Sequence, residues 1–393
     1  MWESMNGVRR CGLGALPPLV WVIVLMIMSA IAPTAGFAAE VRGLYEAEAQ
    51  VFSQKRSERA TAMVAALAEV LVKVSGQRDA ALRQGVARAI RSPAKFLQQY
   101  RYRALSKEQR ERALQAGAVN DLTGRDPQIV FFRFDKTAVD KVLRNNGLPV
   151  WGSTRPATLA WLAVQDENQR YLLASDSSEP TRELLTTEAQ RRGLALLLPL
   201  MDLEDQRSLS FADVWGGFRE PILRASARYP TESVLVGRMY RTLSGEWRAQ
   251  WTLLEGQQVQ SWTAAGMLPT EVIDEGIAGA IEVLASRYAP VVGDQAGLLP
   301  VTVMDVRTLR DYARVTRYLK SLQQVGQVQV VQVDADQVTF ELEVEGGPEA
   351  IAQTIALGTV LQRYQPLVME NGTANGEWVS WAERNMQTYQ LIP

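Results

Sequence analysis

Asp202, Glu204 and Asp205 lie together in Leu198-Pro-Leu-Met-Asp-Leu-Glu-Asp205, at the end of an apolar run. Carboxylates at the C-terminal end of a buried strand sit where α/β proteins tend to bind ligands. Such a group can supply an acid/base pair or oxygen ligands for a hard cation. The plainer reading, a polar turn leaving a strand, carries more weight, because spacing alone marks no second carboxylate cluster to complete a site.

Most other chemistry is closed to this chain. It has no histidine, and its one cysteine, Cys11, precedes the apolar run that starts at Leu19. Ser-His-Asp and Cys-His hydrolysis need an imidazole as base, and zinc sites are built mainly from Cys and His. Carboxylate, Lys, Tyr and Ser-Lys chemistry remain. Lysines number only seven, and Lys73 and Ser75, two apart on a predicted helix, do not face each other. Neither G-x-x-x-x-G-K-[ST] nor G-x-G-x-x-G occurs, so no phosphate cradle is expected. Asn371-Gly-Thr has the form of a glycosylation acceptor and reads as a turn in a bacterial protein. No catalytic residue, metal or cofactor is assigned.

Aromatic residues offer two further readings. Phe211-Ala-Asp-Val-Trp-Gly-Gly-Phe218 is either a lip over a groove, with rings to stack on a sugar, or a helix start near Asp213 with Trp215 and Phe218 in the core. The second is preferred. Trp161, Trp247, Trp251 and Trp262 fall in predicted strands, where a buried sheet face accounts for them better than a carbohydrate platform.

Charge is balanced overall, at −1, but unevenly spread: residues 39–149 carry +8, residues 150–299 carry −6 and residues 300–393 carry −4. The basic excess is densest over Arg83, Arg88, Arg91, Lys95, Arg101, Arg103, Lys107 and Arg110. Read functionally, it meets an anionic partner such as lipid headgroups or an acidic protein face. Read plainly, it is a solvated face that offsets the acidic remainder, and this is preferred.

The first 40 residues explain where the chain is expected to go. Arg9 and Arg10 precede an apolar run over 19–32, and small residues follow up to Ala39, the order of a secretion signal. Gly36 and Ala38 suit processing before Ala39, giving a signal peptide over 1–38 and a periplasmic protein. The alternative is an inner-membrane anchor that runs uncleaved from Leu19 to Ala39. No second run of that length follows, so no integral span is expected after cleavage. A mature chain without cysteine is harmless in a periplasm, and nucleic acid is not an expected partner there.

Periodicity and turn signals divide the remainder into three small α/β-type modules of α+β class. Residues 39–149 form a basic α+β module: a strand over 40–52, then a helix whose stripe is Ala60, Met63, Val64, Leu67, Leu71 and Val74, closed by Gly76. Helical segments over 80–90 and 92–100, a strand over 129–134 and a helix over 137–145 complete it. Residues 150–290 form a mixed sheet with packed helices. Its strands are expected over 158–164, 170–174, 194–200 (buried on both faces), 233–240, 246–254 and 257–264, and its helices over 180–192, 213–228 and 271–288. In the hairpin Trp247, Ala249, Trp251 and Leu253 share one face, and Arg248 and Gln250 the other. Residues 300–370 follow βαββαβ, the ferredoxin-like plan, with a last strand near 364–369, and 371–393 form a C-terminal appendage.

These residues also carry a likeness. Ala65-Ala-Leu-Ala-Glu-Val-Leu-Val-Lys-Val-Ser-Gly76, Arg155-Pro-Ala-Thr-Leu-Ala-Trp-Leu-Ala163, Leu198 to Asp205, Ala225-Ser-Ala-Arg-Tyr-Pro230 and Val234-Leu-Val-Gly237 follow an export signal. Together they resemble a family of secreted proteobacterial proteins described as a domain of unknown function. The resemblance implies an envelope protein and supplies no catalytic residues. The first strand and long helix are similar, in arrangement only, to N-terminal modules of periplasmic assembly proteins. The expected function is therefore a non-catalytic periplasmic interaction or assembly module, partnered by envelope proteins or an anionic envelope surface. The alternatives are a carboxylate-dependent envelope hydrolase and a carrier of an amphiphilic ligand.

Overall fold

The structure is a computed structural model that describes residues 38–106, 110, 127–167, 169–289, 297–344, 347–364 and 387–392. The expected leader and anchor fall on residues 1–37 almost entirely and so lie outside the described residues, as do Lys107 and the strand expected over 365–369. Among the described residues no helix is long and apolar enough to cross a membrane.

β1 (Ala38–Glu40) leads through a turn to β2 (Glu46–Val51) and then α1 (Arg56–Ser75). Gly76 ends α1 in the left-handed region, φ 68°, with its N–H donating to Val72 O at 2.8 Å. A 3-10 turn (Ala80–Leu82), α2 (Gln84–Ile90), β3 (Leu97–Ala104), β4 (Gln128–Phe134) and α3 (Lys136–Asn145) follow. The antiparallel sheet β2-β4-β3 turns Val130, Phe132 and Phe134 into one core with Met63, Leu67, Val70 and Leu71 of α1.

Three local expectations change here. The strand expected over 40–52 breaks at Gly43, φ 68°, and its halves pair differently: β1 with β5 (Thr154–Pro156), β2 with β4. The stripe of α1 is rotated, so Val64 is 38% exposed and Ala66 and Val70 are buried in its stead. The helix expected over 92–100 is one 3-10 turn, Pro93–Lys95. From Leu97 the chain is extended, because β4 offers an edge and Tyr100 and Tyr102 favour a strand.

The second sheet runs β6 (Thr158–Asp166), β7 (Gln169–Leu172), α4 (Pro180–Arg192), β8 (Leu196–Leu197), α5 (Leu203–Ser208), α6 (Phe211–Gly216), α7 (Arg219–Ser226), β9 (Ser233–Arg241), β10 (Trp247–Glu255), β11 (Gln258–Gly266) and α8 (Pro269–Tyr288). Strand order is β11-β10-β9-β6-β7, with β6 parallel to β9. Residues of α4 and α8 share a core with one face, and residues of α6 and α7 with the β6–β9 side of the other. The strand expected over 194–200 shrinks to β8, which pairs with β6 only at Thr158 and Leu159. Pro199 has no N–H to extend the ladder, and Leu197 and Leu200 are exposed. The helix expected over 213–228 is split into α6 and α7 by Gly217, φ 67°.

Trp161, Trp247 and Trp251 are core residues, as their positions suggested, and Trp262 is partly buried against the core that holds Trp247 and Trp251. Trp251 and Trp262 press against α8 where it has no side chain: a Cβ on Gly276 would lie 2.2 Å from Trp251 Cε2, and one on Gly279 2.5 Å from Trp262 Cε2. Their indole N–H groups donate to Val272 O at 3.1 Å and Glu275 O at 3.2 Å.

The third sheet contains β12 (Gly297–Met304), β13 (Val325–Val333), β14 (Gln337–Val344), β15 (Leu361–Arg363) and β16 (Thr388–Leu391), with α9 (Leu309–Ser321) and α10 (Gly347–Leu357). The order is β13-β14-β12-β16-β15. The βαββαβ sequence of elements is present through β15. However, β16 inserts parallel to β12 and displaces β15 to the outside, so these residues of the expected appendage are a structural strand. Tyr389 and Leu391 belong to its core with Val301, Phe340 and Ile355.

The first two sheets are joined through Arg155 on β5, which is 1% exposed. Its guanidinium donates to Gly193 O (2.8 Å), Lys73 O (2.9 Å), Gly152 O (3.1 Å) and Trp151 O (3.2 Å), and lies 4.1 Å over the Trp151 ring. Lys73 is in the last turn of α1 and Gly193 caps α4, so the cation faces the negative ends of two helix dipoles. Burial pulls its pKa below the usual arginine value. A second junction links the first and third sheets: Tyr45 Oη donates to Asp140 Oδ1 at 2.8 Å, and Lys136 Nζ and Gln323 Nε2 reach Asp140 Oδ2 at 2.7 and 2.9 Å.

Arg155→Met leaves these carbonyls without a donor and is expected to lower the unfolding free energy by about 3–5 kcal/mol, read from urea denaturation. Gly276→Ala overpacks Trp251 and is expected to lower it by about 1–3 kcal/mol, whereas Gly297→Ala, with nothing within 4 Å of the new carbon, is the neutral control.

Candidate functional site

The three carboxylates do come together, and around an arginine. Asp202 caps α5: its Oδ1 accepts from the N–H groups of Glu204 (3.1 Å) and Asp205 (3.0 Å). Arg228, which follows α7, grips both Asp202 oxygens at 2.7 and 2.9 Å, reaches Asp205 Oδ1 at 3.0 Å and approaches Glu204 at 3.6 Å. Asp205 is buried; its Oδ2 accepts from Tyr229 Oη at 2.5 Å and from the Met201 N–H at 2.9 Å. Arg228 and its neighbours hold the Asp202 carboxyl well below the usual carboxylate range. Burial, then the bond to Asp205, pushes the Tyr229 phenol up to about 12. Every carboxyl oxygen of Asp202 and Asp205 is thus engaged in tying the β8–α5 turn to α7. Among the described residues no group of His, Cys, Asp or Glu side chains is arranged to hold a metal ion.

The basic segment is exposed and divided. Arg83, Arg88, Arg91 and Lys95 are exposed around α2 and the 3-10 turns, with Arg83 paired to Asp79 at 3.1 Å. Arg101 and Arg103 lie on β3 instead. Arg101 covers the Phe131 ring at 4.6 Å, and Arg103 pairs with Glu48 at 2.7 Å. Three of the six cations are therefore already engaged.

A more concave surface lies on the side of the second sheet that α6 and α7 leave open. Cross-strand register sets Tyr240, Arg248 and Ala265 in one row and Arg238, Gln250 and Thr263 in the next. With Trp215 of α6 as a wall, they line a groove of about 650 Å³, within the usual size range of small-molecule pockets. Trp215 stacks on Phe211 (5.3 Å between centroids) and meets Tyr240 edge-on (6.1 Å), while Phe218 is 57% exposed. The lip and core readings of this segment therefore each hold for part of it, with Trp215 between core and groove. Arg238 donates to Trp215 O at 3.1 Å and to Gln250 Oε1. Arg248 pairs with Glu246 at 2.9 Å, which raises its pKa.

The groove ends at β11, the outer strand of the sheet. This strand has nine residues, Gln-Val-Gln-Ser-Trp-Thr-Ala-Ala-Gly, none charged and none proline, and its pairing to β10 has no bulge. Val259 is 45% exposed. The outer strand of the third sheet, β13, is also uncharged but is bulged twice. Sequence reasoning placed Arg248 and Gln250 on the face opposite the tryptophans but did not join them to Arg238. The signal was Arg238 itself, an arginine between Gly237 and Met239 in the middle of a mainly apolar strand.

The Asp202 pKa is depressed in the folded chain, so its stabilisation is present above its ordinary value of 3.8 and is lost as pH falls below that value. Thermal melts between pH 5 and pH 2 are expected to show a steeper loss of stability in the parent chain than in Asp202→Asn, which cannot titrate.

A search of curated proteins finds no match. Residues 38–152, which span β1 through α3 and stop just short of β5, match the family model described as Domain of unknown function (DUF8605).

Proposed function

We propose that this is an exported, non-catalytic envelope protein that works as an interaction or assembly module, and that it receives an extended segment of a partner protein along β11. The observation that carries the reading is the outer edge of β11. Among the described residues nothing pairs with the outer side of this nine-residue edge, which has no charge, proline or bulge and so presents a row of N–H and C=O groups. Natural sheets normally blunt such edges, and an unblunted one is a template for strand addition. The Arg228-bound carboxylates support the same reading, since their oxygens are committed to structure. The export signal read from residues 1–38 supports the compartment. A hydrolase acting through Asp202, Glu204 and Asp205 has less support, because it would have to break these contacts.

A photoreactive phenylalanine analogue at Val259 is expected to give one discrete crosslinked adduct in intact cells. Gln260→Lys, placed beside it, is expected to abolish the adduct without shifting the thermal midpoint. Adducts from Arg88 or Arg91 positions with none from Val259 would move the contact to the basic segment and defeat the β11 assignment.

A further inference from the structure

The geometry points to the Arg238 groove as a binding site for a single oxyanion carried on an apolar or aromatic body, a ligand site separate from the β11 edge. Arg238 is half-buried, and its partners are neutral: the Trp215 carbonyl and the Gln250 side-chain oxygen. Three other partly buried arginines in this sheet's shell hold carboxylates, whereas Arg219 and Arg182, like Arg238, donate to carbonyls, those of Gly256 and Ser177. Arg192 holds Asp274 through two bonds at 2.7 and 2.8 Å, Arg228 holds Asp202 and Asp205, and Arg287 holds Glu255. Among the described residues Arg238 has no carboxylate partner, although residues 150–299 carry a net charge of −6. A guanidinium withdrawn from water without a counter-charge is costly, and the cost is offset when a ligand supplies the anion.

The remaining lining specifies the ligand further. Arg248, one row away on the neighbouring strand, is exposed and sets a second guanidinium, paired with Glu246 at 2.9 Å, on the same face. Trp215 and Tyr240 form an aromatic wall beside the two guanidiniums, and Ala265 completes an apolar rim. Anion recognition and an apolar surface therefore meet within one groove of about 650 Å³, room for a compact amphiphile and too little for a folded partner. Free phosphate would use the cations and leave the wall unused. An uncharged apolar molecule would do the reverse.

The test is a fluorescence titration of the full chain with 1-anilinonaphthalene-8-sulfonate, which joins one sulfonate to an aromatic body. Saturable binding of one dye per chain is expected, displaced by decanoate but not by inorganic phosphate at the same concentration. Arg238→Met is expected to weaken it by about tenfold, the loss of one charge-assisted hydrogen bond. Arg238→Lys should restore part of that, and Arg248→Ala, an exposed change that leaves the core intact, should weaken it by about threefold. Equal binding of Nile red, displacement by phosphate as effective as by decanoate, or unchanged titrations in both Arg238→Met and Arg248→Ala would overturn the assignment. A folded Arg248→Ala protein keeps the test decisive even if Arg238→Met does not fold.

Discussion

The buried guanidinium of Arg155 is the constraint on which the arrangement of the first two sheets depends. A cation in a protein interior usually requires a carboxylate beside it; here four carbonyl oxygens do the work, two of them at helix C-termini. A carboxylate on a rotatable side chain would tolerate a shift of either helix. Carbonyls fixed at the ends of α1 and α4 do not, and a planar fork of donors meets them in one geometry only. Arg155 lies on β5, which also receives β1, so three distant segments converge on a single charged group. Lys73 adds to the same point: it is buried, its amine donates to Glu46 O at 2.7 Å, and burial lowers its pKa.

Charge elsewhere is used mainly to join elements. Arg228 fastens the turn carrying Asp202 and Asp205, and Arg192 with Asp274 fastens α4 to α8. Partly exposed pairs of this kind contribute little net stability, so their use lies in fixing relative positions. The Arg238 guanidinium in the groove is held, like that of Arg155, by neutral oxygens. Together with the unblunted edge of β11, this groove gives the second sheet two surfaces of different chemistry, which we propose receive a strand and an anion.

Much of this fold was readable in the sequence, and the failures share a cause. Gly193 marked the end of α4, Glu255-Gly256 marked the β10–β11 turn, and alternation of Trp247, Ala249, Trp251 and Leu253 identified the buried face. These are local signals. Leu194 to Leu200 read as a buried strand, but Pro199 cannot extend the ladder and only Leu196 and Leu197 pair with β6. Residues 97–100 read as helix, but pairing to β4 decided otherwise. The candidate site was half legible for the same reason: the grouping of Asp202, Glu204 and Asp205 is visible in the chain, whereas Arg228, 23 residues after Asp205, is brought to them only by tertiary contact. Rows such as Arg238, Gln250 and Thr263 need three strands in register before they exist at all.

The place of β16 has a consequence for how the third sheet comes into being. Its residues, Thr388 to Leu391, sit beside β12, the first strand of that sheet, and among the described strands β15 pairs with them. As the chain emerges in order, from a ribosome or through a translocation pore, β12, β13 and β14 can zip together early, but one flank of β12 stays open until the closing strand arrives. That flank is a parallel-pairing edge on a mainly apolar strand, exposed throughout the interval, and a holdase or rapid delivery of β16 would be the natural safeguard against its joining the wrong neighbour.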